Sequence, residues 1–293
     1  MPVSLSARDP PRSVPVRPPH CPRRGCLRPP TPEWVPSGFV TTHDTDATTA
    51  TGTVRLTVVE NSPDVTLDAY ADLLDAELRV VRAHEGEPVP AADRLDELGD
   101  GLVVLGGHVS AYDDARAPWL PALRETLVAA ATQGVPTLGI CLGAQLLAVA
   151  GGGQVAVAAP PGREVGATRV FWRAEADTDP VLAPLATGDD PVRCVTSMHG
   201  DAIVELPDGA VWLASSNMYP YQAFRLGSAL GVQFHPEASR AGFAAWCDRY
   251  EDVDTAAALA GFDDNAPALL DGGRRLAESF VTAVRVSRRR VPA

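Results

Sequence analysis

The stretch from Val135 to Leu147 constrains the fold of this chain more than any other part of it. An apolar run leads to Cys141, which lies between Gly139 and Gly143, and a run rich in alanine and leucine follows. This order predicts a strand, a sharp turn and a helix, with the cysteine on the turn. The two glycines would keep neighbouring side chains from colliding where the backbone is strained. The sequence therefore predicts that the thiol projects from the end of a sheet.

Cys141 would also lie at the N-terminus of the predicted helix. Unpaired N–H groups and the helix dipole favour an anion there, so the position suits a thiolate nucleophile. Most cysteines in intracellular chains are nevertheless buried and inert, and glycine-containing turns between a strand and a helix are common in α/β proteins. A catalytic interpretation therefore needs a base nearby.

A candidate base follows 94 residues later, in a His-Pro-Glu triplet. Val232 and Phe234 alternate with other positions as in a strand, and Pro236 favours an extended conformation at the preceding residue. Side chains two residues apart in an extended chain point the same way, so His235 and Glu237 are expected to share a face. The carboxylate would then orient the imidazole, and the imidazole would activate the thiol.

The two motifs resemble the two signatures of class I glutamine amidotransferases, whose glutaminase domains use a Cys-His-Glu triad. They read Gly-Ile-Cys-Leu-Gly-Ala-Gln at 139–145 and Gln-Phe-His-Pro-Glu at 233–237. The resemblance covers roughly residues 54–285, and it is closest to the GMP-synthase-like, free-standing members of the class.

The resemblance implies a role for each residue of the triad. Cys141 would be the nucleophile, His235 the general acid and base, and Glu237 the carboxylate that orients the imidazole. In the mechanism of the family, the thiolate attacks the side-chain amide of glutamine and ammonia leaves. Water then hydrolyses the γ-glutamyl thioester to glutamate, and no cofactor is implied.

A glycine pair, Gly106-Gly107, follows the predicted strand 101–105. Such a pair lets a backbone N–H point into a crevice, as a tetrahedral oxyanion requires, although a plain tight turn has the same signature. By resemblance, the N–H groups of Gly107 and Leu142 form the oxyanion hole. His108 stands where Gly-Gly-Pro is commoner in the family, and we assign His108 no catalytic role.

A His-Gly-Asp element at 199–201 resembles the family segment whose backbone helps to hold the substrate glutamine. On composition alone His199 competes with His235 as the base, and the resemblance favours His235. The residues that the resemblance implies in substrate binding are Gln145, His199, Gly200 and Asp201.

Predicted strands alternate with predicted helices. This alternation predicts an α/β fold with a doubly wound, mostly parallel, flavodoxin-like sheet flanked by helices, and with a small antiparallel addition. Functional loops would then lie at the C-terminal ends of the strands. The predicted strands include 54–60, 78–83, 101–105, 165–173, 202–206, 211–214, 222–225 and 231–237. The predicted helices lie around 67–76, 119–132, 142–147, 243–247 and 276–284.

Composition limits the classes of function. With 293 residues and 45% hydrophobic content, the chain can bury a large core. Its net charge of −12 argues against nucleic acid as a partner, since phosphate binding needs a basic surface. No apolar run approaches the length of about 18 residues that a membrane span requires. Five cysteines without a secretory signal indicate a reducing compartment, so we expect a cytoplasmic protein.

The two ends of the chain differ from its middle. Eleven of the 27 prolines fall in the first 40 residues, together with six arginines. We expect residues 1–50 to be a disordered tail without function, followed by a catalytic domain over 54–285 and a basic tail over 286–293. An Arg-rich targeting peptide and a later start of translation are alternatives for the first segment.

Three short patterns indicate a metal or phosphate site only weakly. Cys21 and Cys26, with His20, lack a second pair of ligands. The pair Asp113-Asp114 precedes a helix whose positive end adjacent carboxylates often face. The triplet 151–153 has no Lys-Ser/Thr after it and is better explained as the end of a helix. We therefore expect no metal ion.

The sequence resembles only the glutaminase half of a GMP synthase, because it contains no ATP-pyrophosphatase signature and no Walker loop. We expect an amidotransferase that releases ammonia from glutamine for a separate synthetase subunit. A stand-alone hydrolase of γ-glutamyl amides or peptides is the alternative. A catalytically silent regulatory module is a third hypothesis, against which the intact triad argues.

Overall fold

A computed structural model describes residues 52–289 of the chain. The expectations for residues 1–50, including Cys21 and Cys26, lie outside the described residues, as do positions 290–293. The strands are β1 (Arg55–Glu60), β2 (Glu77–Arg82), β3 (Gly101–Val104), β4 (Thr137–Ile140), β5 (Gln154–Ala156), β6 (Glu164–Arg169), β7 (Phe171–Trp172), β8 (Cys194–His199), β9 (Ala202–Glu205), β10 (Val211–Ser215), β11 (Ala223–Leu226) and β12 (Ala229–Val232). The α-helices are α1 (Tyr70–Leu73), α2 (Leu120–Gln133), α3 (Leu142–Ala150), α4 (Ala183–Ala186), α5 (Arg240–Cys247) and α6 (Thr255–Arg288).

The main sheet has eight strands in the order β2-β1-β3-β4-β12-β11-β10-β7. The five strands from β2 to β12 pair in parallel, and the other three pair antiparallel at one edge. The parallel part has the strand order of flavodoxin-like sheets. Two separate antiparallel pairs, β5–β9 and β6–β8, complete the structure. The predicted fold class, including its antiparallel addition, is confirmed.

Helices cover both faces of the parallel strands. Every residue of β3 and β4 is buried, which is the pattern of strands with no face toward water. On one face Leu123 of α2 and Leu147 of α3 pack into the core, and on the other Leu276 and Phe280 of α6 do so. The C-terminal ends of β3, β4 and β12 consequently open at a common edge of the sheet.

The predicted strand 165–173 is in fact two strands. β6 pairs with β8, whereas β7 pairs with β10 of the main sheet. Between them the Val170 N–H donates to the Arg193 carbonyl at 3.1 Å, so the chain passes from one sheet to another at this residue. Apolar–polar alternation does not reveal such a change of partner, because both strands have the same period.

The last helix continues past residue 285 and includes the first residues of the predicted basic tail. Arg285 forms an ion pair with Asp75 at 2.5 Å, and Arg288 donates to the Gly52 carbonyl at 2.9 Å. Arg285 therefore attaches the end of α6 to the loop before β2, and Arg288 attaches it to the start of the described chain. Within residues 52–289, no helix is both long enough and apolar enough to cross a membrane.

The junction between β4 and α3 leaves no room for side chains on its glycines. A Cβ on Gly139 would lie 2.7 Å from the Gly143 carbonyl oxygen, and a Cβ on Gly143 would overlap the Val104 carbonyl of β3. Both glycines are thus required by the close approach of helix and sheet, which explains the spacing seen in the sequence.

We expect Gly143→Ala to lower the free energy of unfolding by about 3 kcal/mol, because the neighbouring atoms are backbone and cannot move aside cheaply. Gly261→Ala is the matched control. Gly261 lies within α6, and a Cβ added there would meet open space, so alanine should be neutral or stabilising by up to about 1 kcal/mol. Urea unfolding of both variants checks this, and equal stabilities would contradict it.

Candidate active site

Cys141 lies on the sharp turn between β4 and α3, as predicted. Its backbone has φ 50° and ψ −105°, a conformation that residues other than glycine rarely adopt. The turn is fixed at both sides, because the Cys141 N–H donates to the Val232 carbonyl at 2.8 Å and its carbonyl accepts from Gln145 N at 3.0 Å. Strain that the surrounding hydrogen bonds maintain is a feature of functional sites.

His235 and Glu237 form a buried pair. His235 Nδ1 lies 2.7 Å from Glu237 Oε1, and the two side chains are 4% and 0% exposed. The imidazole also packs against the Trp246 ring of α5, with centroids 4.6 Å apart. Carboxylate and aromatic ring together hold the imidazole in one orientation, with Nε2 directed away from the carboxylate.

The His-Pro-Glu triplet is not extended, and the expectation that it continues a strand is wrong. β12 ends at Val232, and residues 236 and 237 form a turn. Pro236 has no N–H to donate to a ladder, and the His235 N–H is bonded to the Thr196 carbonyl at 2.8 Å. The turn brings His235 and Glu237 together, where we expected strand alternation to do so.

The thiol and the imidazole meet beside Gly106. A Cβ on Gly106 would lie 2.9 Å from His235 Cε1 and 3.5 Å from Cys141 Cβ. Both side chains therefore lie against the backbone of Gly106, which has no side chain to keep them apart. Burial alone would lower the pKa of His235. The Glu237 carboxylate, and after it a negative charge on Cys141, act in the opposite direction and raise this pKa to about 10. His235 is therefore protonated at neutral pH and forms an ion pair with the Glu237 carboxylate.

This raised pKa has a consequence for stability. The pKa of histidine is about 6.5 in an unfolded chain and about 10 here, so the stabilisation from the protonated imidazole is fully present below pH 6.5. It should be lost as the pH rises through 10. We expect the difference in unfolding free energy between the wild type and His235→Asn to shrink from pH 7 to pH 10. Urea unfolding at several pH values measures it, and a constant difference would contradict the ion pair.

Gly107 and Leu142 lie close together at the same edge of the sheet. A Cβ on Gly107 would lie 2.8 Å from Leu142 Cδ2, and Leu142 is the first residue of α3, where N–H groups have no partner within the helix. The Gly107 N–H donates no hydrogen bond within residues 52–289. Gly107 lines the same cleft as Cys141, and Leu142 follows Cys141 directly in the chain, so the two residues flank the thiol. Their role as an oxyanion hole stays a prediction.

His108 is hydrogen-bonded to residues other than Cys141. Its backbone N–H donates to Ser62 Oγ at 3.2 Å, and its ring contacts Tyr250 Oη at 2.9 Å and Asp64 at 3.0 Å. Burial lowers the pKa of His108, with Asp64 acting in the opposite direction. The Gly-Gly-His sequence therefore forms a fixed loop whose histidine supports the wall of the site.

His199 is held by acceptors on both ring nitrogens. Nδ1 lies 2.9 Å from the Asp201 carbonyl and Nε2 lies 3.0 Å from Glu164 Oε2. Glu164, which is itself buried, also accepts from Ser216 and Gln222. A histidine with both nitrogens engaged and a side chain 1% exposed cannot approach the thiol as a base.

A cleft of about 350 Å³ opens above the thiol. Gln145 lies within it, and its Nε2 donates to the Asp201 carbonyl at 3.0 Å and lies 3.3 Å from Gln233 Oε1. The proposed substrate-binding residues that line this cleft with Cys141 are Gln145, His199, Gly200 and Asp201.

The site contains residues that the sequence did not single out. Arg163 and Tyr250 line the cleft, and Glu164 fixes His199 from below. The paired aspartates of the weak metal pattern are instead bonded to arginines, Asp113 to Arg116 and Asp114 to Arg124. Among the described residues, no three histidine, cysteine or acidic side chains are grouped as metal ligands.

Comparison with known families identifies the domain. The model of the family "Glutamine amidotransferase class-I" matches residues 65–244, more than half of the chain. The GMP synthase (glutamine-hydrolyzing) of Leifsonia xyli subsp. xyli is 38% identical over 151 residues, which is 51% of this chain and 28% of that protein. The corresponding enzyme of Nitratiruptor sp. is 30% identical over 193 residues, which is 62% of this chain and 34% of that protein. The chain thus spans about a third of the length of these relatives.

Solved structures agree with this assignment. A glutamine amidotransferase from Thermotoga maritima superposes with a TM-score of 0.67 at 26% identity, covering 78% of this chain and 99% of that one. A glutamine amidotransferase from Methylobacillus flagellatus gives the same TM-score at 25% identity, covering 79% and 96%. The chain belongs to the class I glutamine amidotransferase family.

Proposed function

We propose that this protein hydrolyses the side-chain amide of L-glutamine through a thioester on Cys141 and releases ammonia for a separate synthetase. The observation that carries the proposal is the buried array in which a strained Cys141 and His235 both lie against Gly106, and His235 Nδ1 lies 2.7 Å from Glu237 Oε1. A thiolate, a proton donor and a fixed carboxylate are the groups that this chemistry needs.

In the proposed first step, the Cys141 thiolate attacks the amide carbon and a carbon–sulfur bond forms. The negative charge moves to the carbonyl oxygen, which the N–H groups of Gly107 and Leu142 stabilise. The carbon–nitrogen bond then breaks. The leaving nitrogen takes a proton from His235 Nε2 and departs as ammonia, leaving a γ-glutamyl thioester.

In the proposed second step, the neutral imidazole accepts a proton from water, and the hydroxide attacks the thioester carbon. The carbon–sulfur bond breaks, and glutamate leaves with the Cys141 thiolate and the imidazolium restored. Glu237 keeps the proton of Nδ1 directed toward itself throughout, so that Nε2 is the nitrogen that exchanges protons.

A synthetase partner is proposed from the relatives. Those proteins are named as glutamine-hydrolysing GMP synthases, and this chain matches only 28% and 34% of two of them. The part of those synthases that this chain does not match would correspond to the synthetase that accepts the ammonia.

Ammonia and glutamate release from L-glutamine tests the proposal, measured with and without a candidate synthetase and beside a panel of γ-glutamyl amides and peptides. We expect glutamine to be hydrolysed, and faster when the synthetase is present. If γ-glutamyl conjugates were hydrolysed with a higher kcat/KM, and the synthetase had no effect, the protein would be a stand-alone γ-glutamyl hydrolase. Absence of turnover on every substrate would indicate a regulatory module.

A further inference from the structure

One fixed positive charge lines the cleft without a role in the triad. Arg163 lies immediately before β6, its side chain is 20% exposed, and its guanidinium borders the cleft that contains Cys141. Its Cζ lies 3.8 Å from the centroid of the Tyr250 ring, and its Nε donates to Asp252 Oδ2 at 3.1 Å. Gly200 also lies next to the guanidinium, since a Cβ added to Gly200 would be 3.2 Å from Arg163 Nη1.

These contacts leave the outer edge of the guanidinium available. Asp252 uses the Nε edge, and neither Nη group makes a hydrogen bond within the described part of the chain. The Tyr250 ring below the guanidinium is in turn fixed by His108, whose Nδ1 lies 2.9 Å from the tyrosine oxygen. A planar guanidinium held on its face and one edge presents its two Nη groups in a geometry that matches a carboxylate.

The other basic side chains that line the cleft do not meet this description. Arg116 is 73% exposed and is already paired with Asp113 at 3.1 Å, so its charge is open to solvent and partly neutralised. His108 and His199 have both ring nitrogens engaged. Arg163 is therefore the only cation lining the cleft, among residues 52–289, that is both fixed and open toward it.

We propose that Arg163 binds the α-carboxylate of the γ-glutamyl substrate, with Tyr250 and Asp252 holding the guanidinium in place. This inference rests on the proposed function. Glutamine carries its amide and its α-carboxylate at opposite ends, so a substrate whose amide reaches Cys141 must place its carboxylate in the same cleft. The site would thereby select γ-amides of α-amino acids over simple amides.

Alkylation of Cys141 tests this proposal without turnover. One probe is the chloroketone analogue of L-glutamine, in which CH2Cl replaces the amide nitrogen, and the other is chloroacetone, which has the same electrophile without the amino acid. For Arg163→Met we expect the second-order labelling rate with the analogue to fall at least about tenfold, since a charge-assisted pair is lost. The rate with chloroacetone should change less than about twofold. Arg163→Lys keeps the positive charge but loses the two parallel N–H donors, so its labelling rate with the analogue should lie between those of the wild type and Arg163→Met.

Arg249→Met is the matched control. Arg249 belongs to the same segment as Tyr250 and Asp252, but it pairs with Asp64 and does not line the cleft. In this variant Cys141 should be alkylated at the wild-type rate by both probes. Melting temperatures of all variants show whether they are folded. Equal labelling of folded Arg163→Met and wild type by the analogue would overturn the inference alone. Failure of both probes to label Cys141 in the wild type would overturn the proposed function and the inference with it.

Discussion

Replacement of Cys141 by alanine is expected to lower glutamine hydrolysis at least about 10⁴-fold while leaving the fold intact. The thiolate is the only group on the proposed path that forms a bond to substrate, and loss of a nucleophile typically costs several orders of magnitude. Among the described residues the thiol donates one hydrogen bond, a long one to the Met198 carbonyl at 3.9 Å, so its removal should disturb the structure little. Initial rates of ammonia release and the melting temperature measure the two effects.

Cys194→Ala is the control for that substitution. Cys194 begins β8 and is half-buried, and burial raises the pKa of its thiol, which makes it a poor nucleophile. We expect this variant to keep nearly full activity. Retention of more than about a tenth of the wild-type rate in Cys141→Ala would contradict the assignment of the nucleophile.

The second large effect is expected at His235. His235→Asn should lose about as much activity as the cysteine variant, because triad members act as a unit. Glu237→Gln should lose less, since it orients the imidazole without exchanging protons with the substrate. The same steady-state assay, run at several pH values, ranks the variants.

His199→Asn separates a base from a structural histidine. His199 is bonded to Glu164 and to the Asp201 carbonyl, so its replacement removes one of the three hydrogen-bond partners of a buried carboxylate. We expect a lower melting temperature, but a higher residual kcat than in His235→Asn. The opposite order of kcat values would mean that the base has been misassigned.

The parts of the site that lie close together in sequence were predictable. The turn between β4 and α3 that carries Cys141 is encoded within seven residues, because the glycine spacing around Cys141 indicates a helix packed closely against a sheet. His235 and Glu237 are two residues apart, so their pairing followed from proximity. The conformation that pairs them did not, since a proline after a buried strand is compatible with both extension and a turn.

The wall of the cleft was not predictable, because it is built from distant segments. Arg163 and Asp252 are 89 residues apart, and His108 and Tyr250 are 142 apart. Each of these side chains has an ordinary surface explanation when read alone. Only the folded chain brings together the start of β6, the loop after β3 and the segment that follows α5. The only signal in the sequence was that Arg163 places a positive charge just before the predicted strand 165–173. This signal is weak, because charged residues often flank strands.

A covalent γ-glutamyl intermediate on Cys141 is central to the proposed function, and trapping it is the most direct test. Wild-type protein and the Cys141→Ala variant would be mixed with isotopically labelled L-glutamine, quenched in acid within the first turnover, digested and analysed by mass spectrometry. The proposed mechanism predicts a γ-glutamyl group on the peptide that contains Cys141, absent from the variant. Release of glutamate by the wild type with no label on that peptide, or with label on another residue, would contradict it.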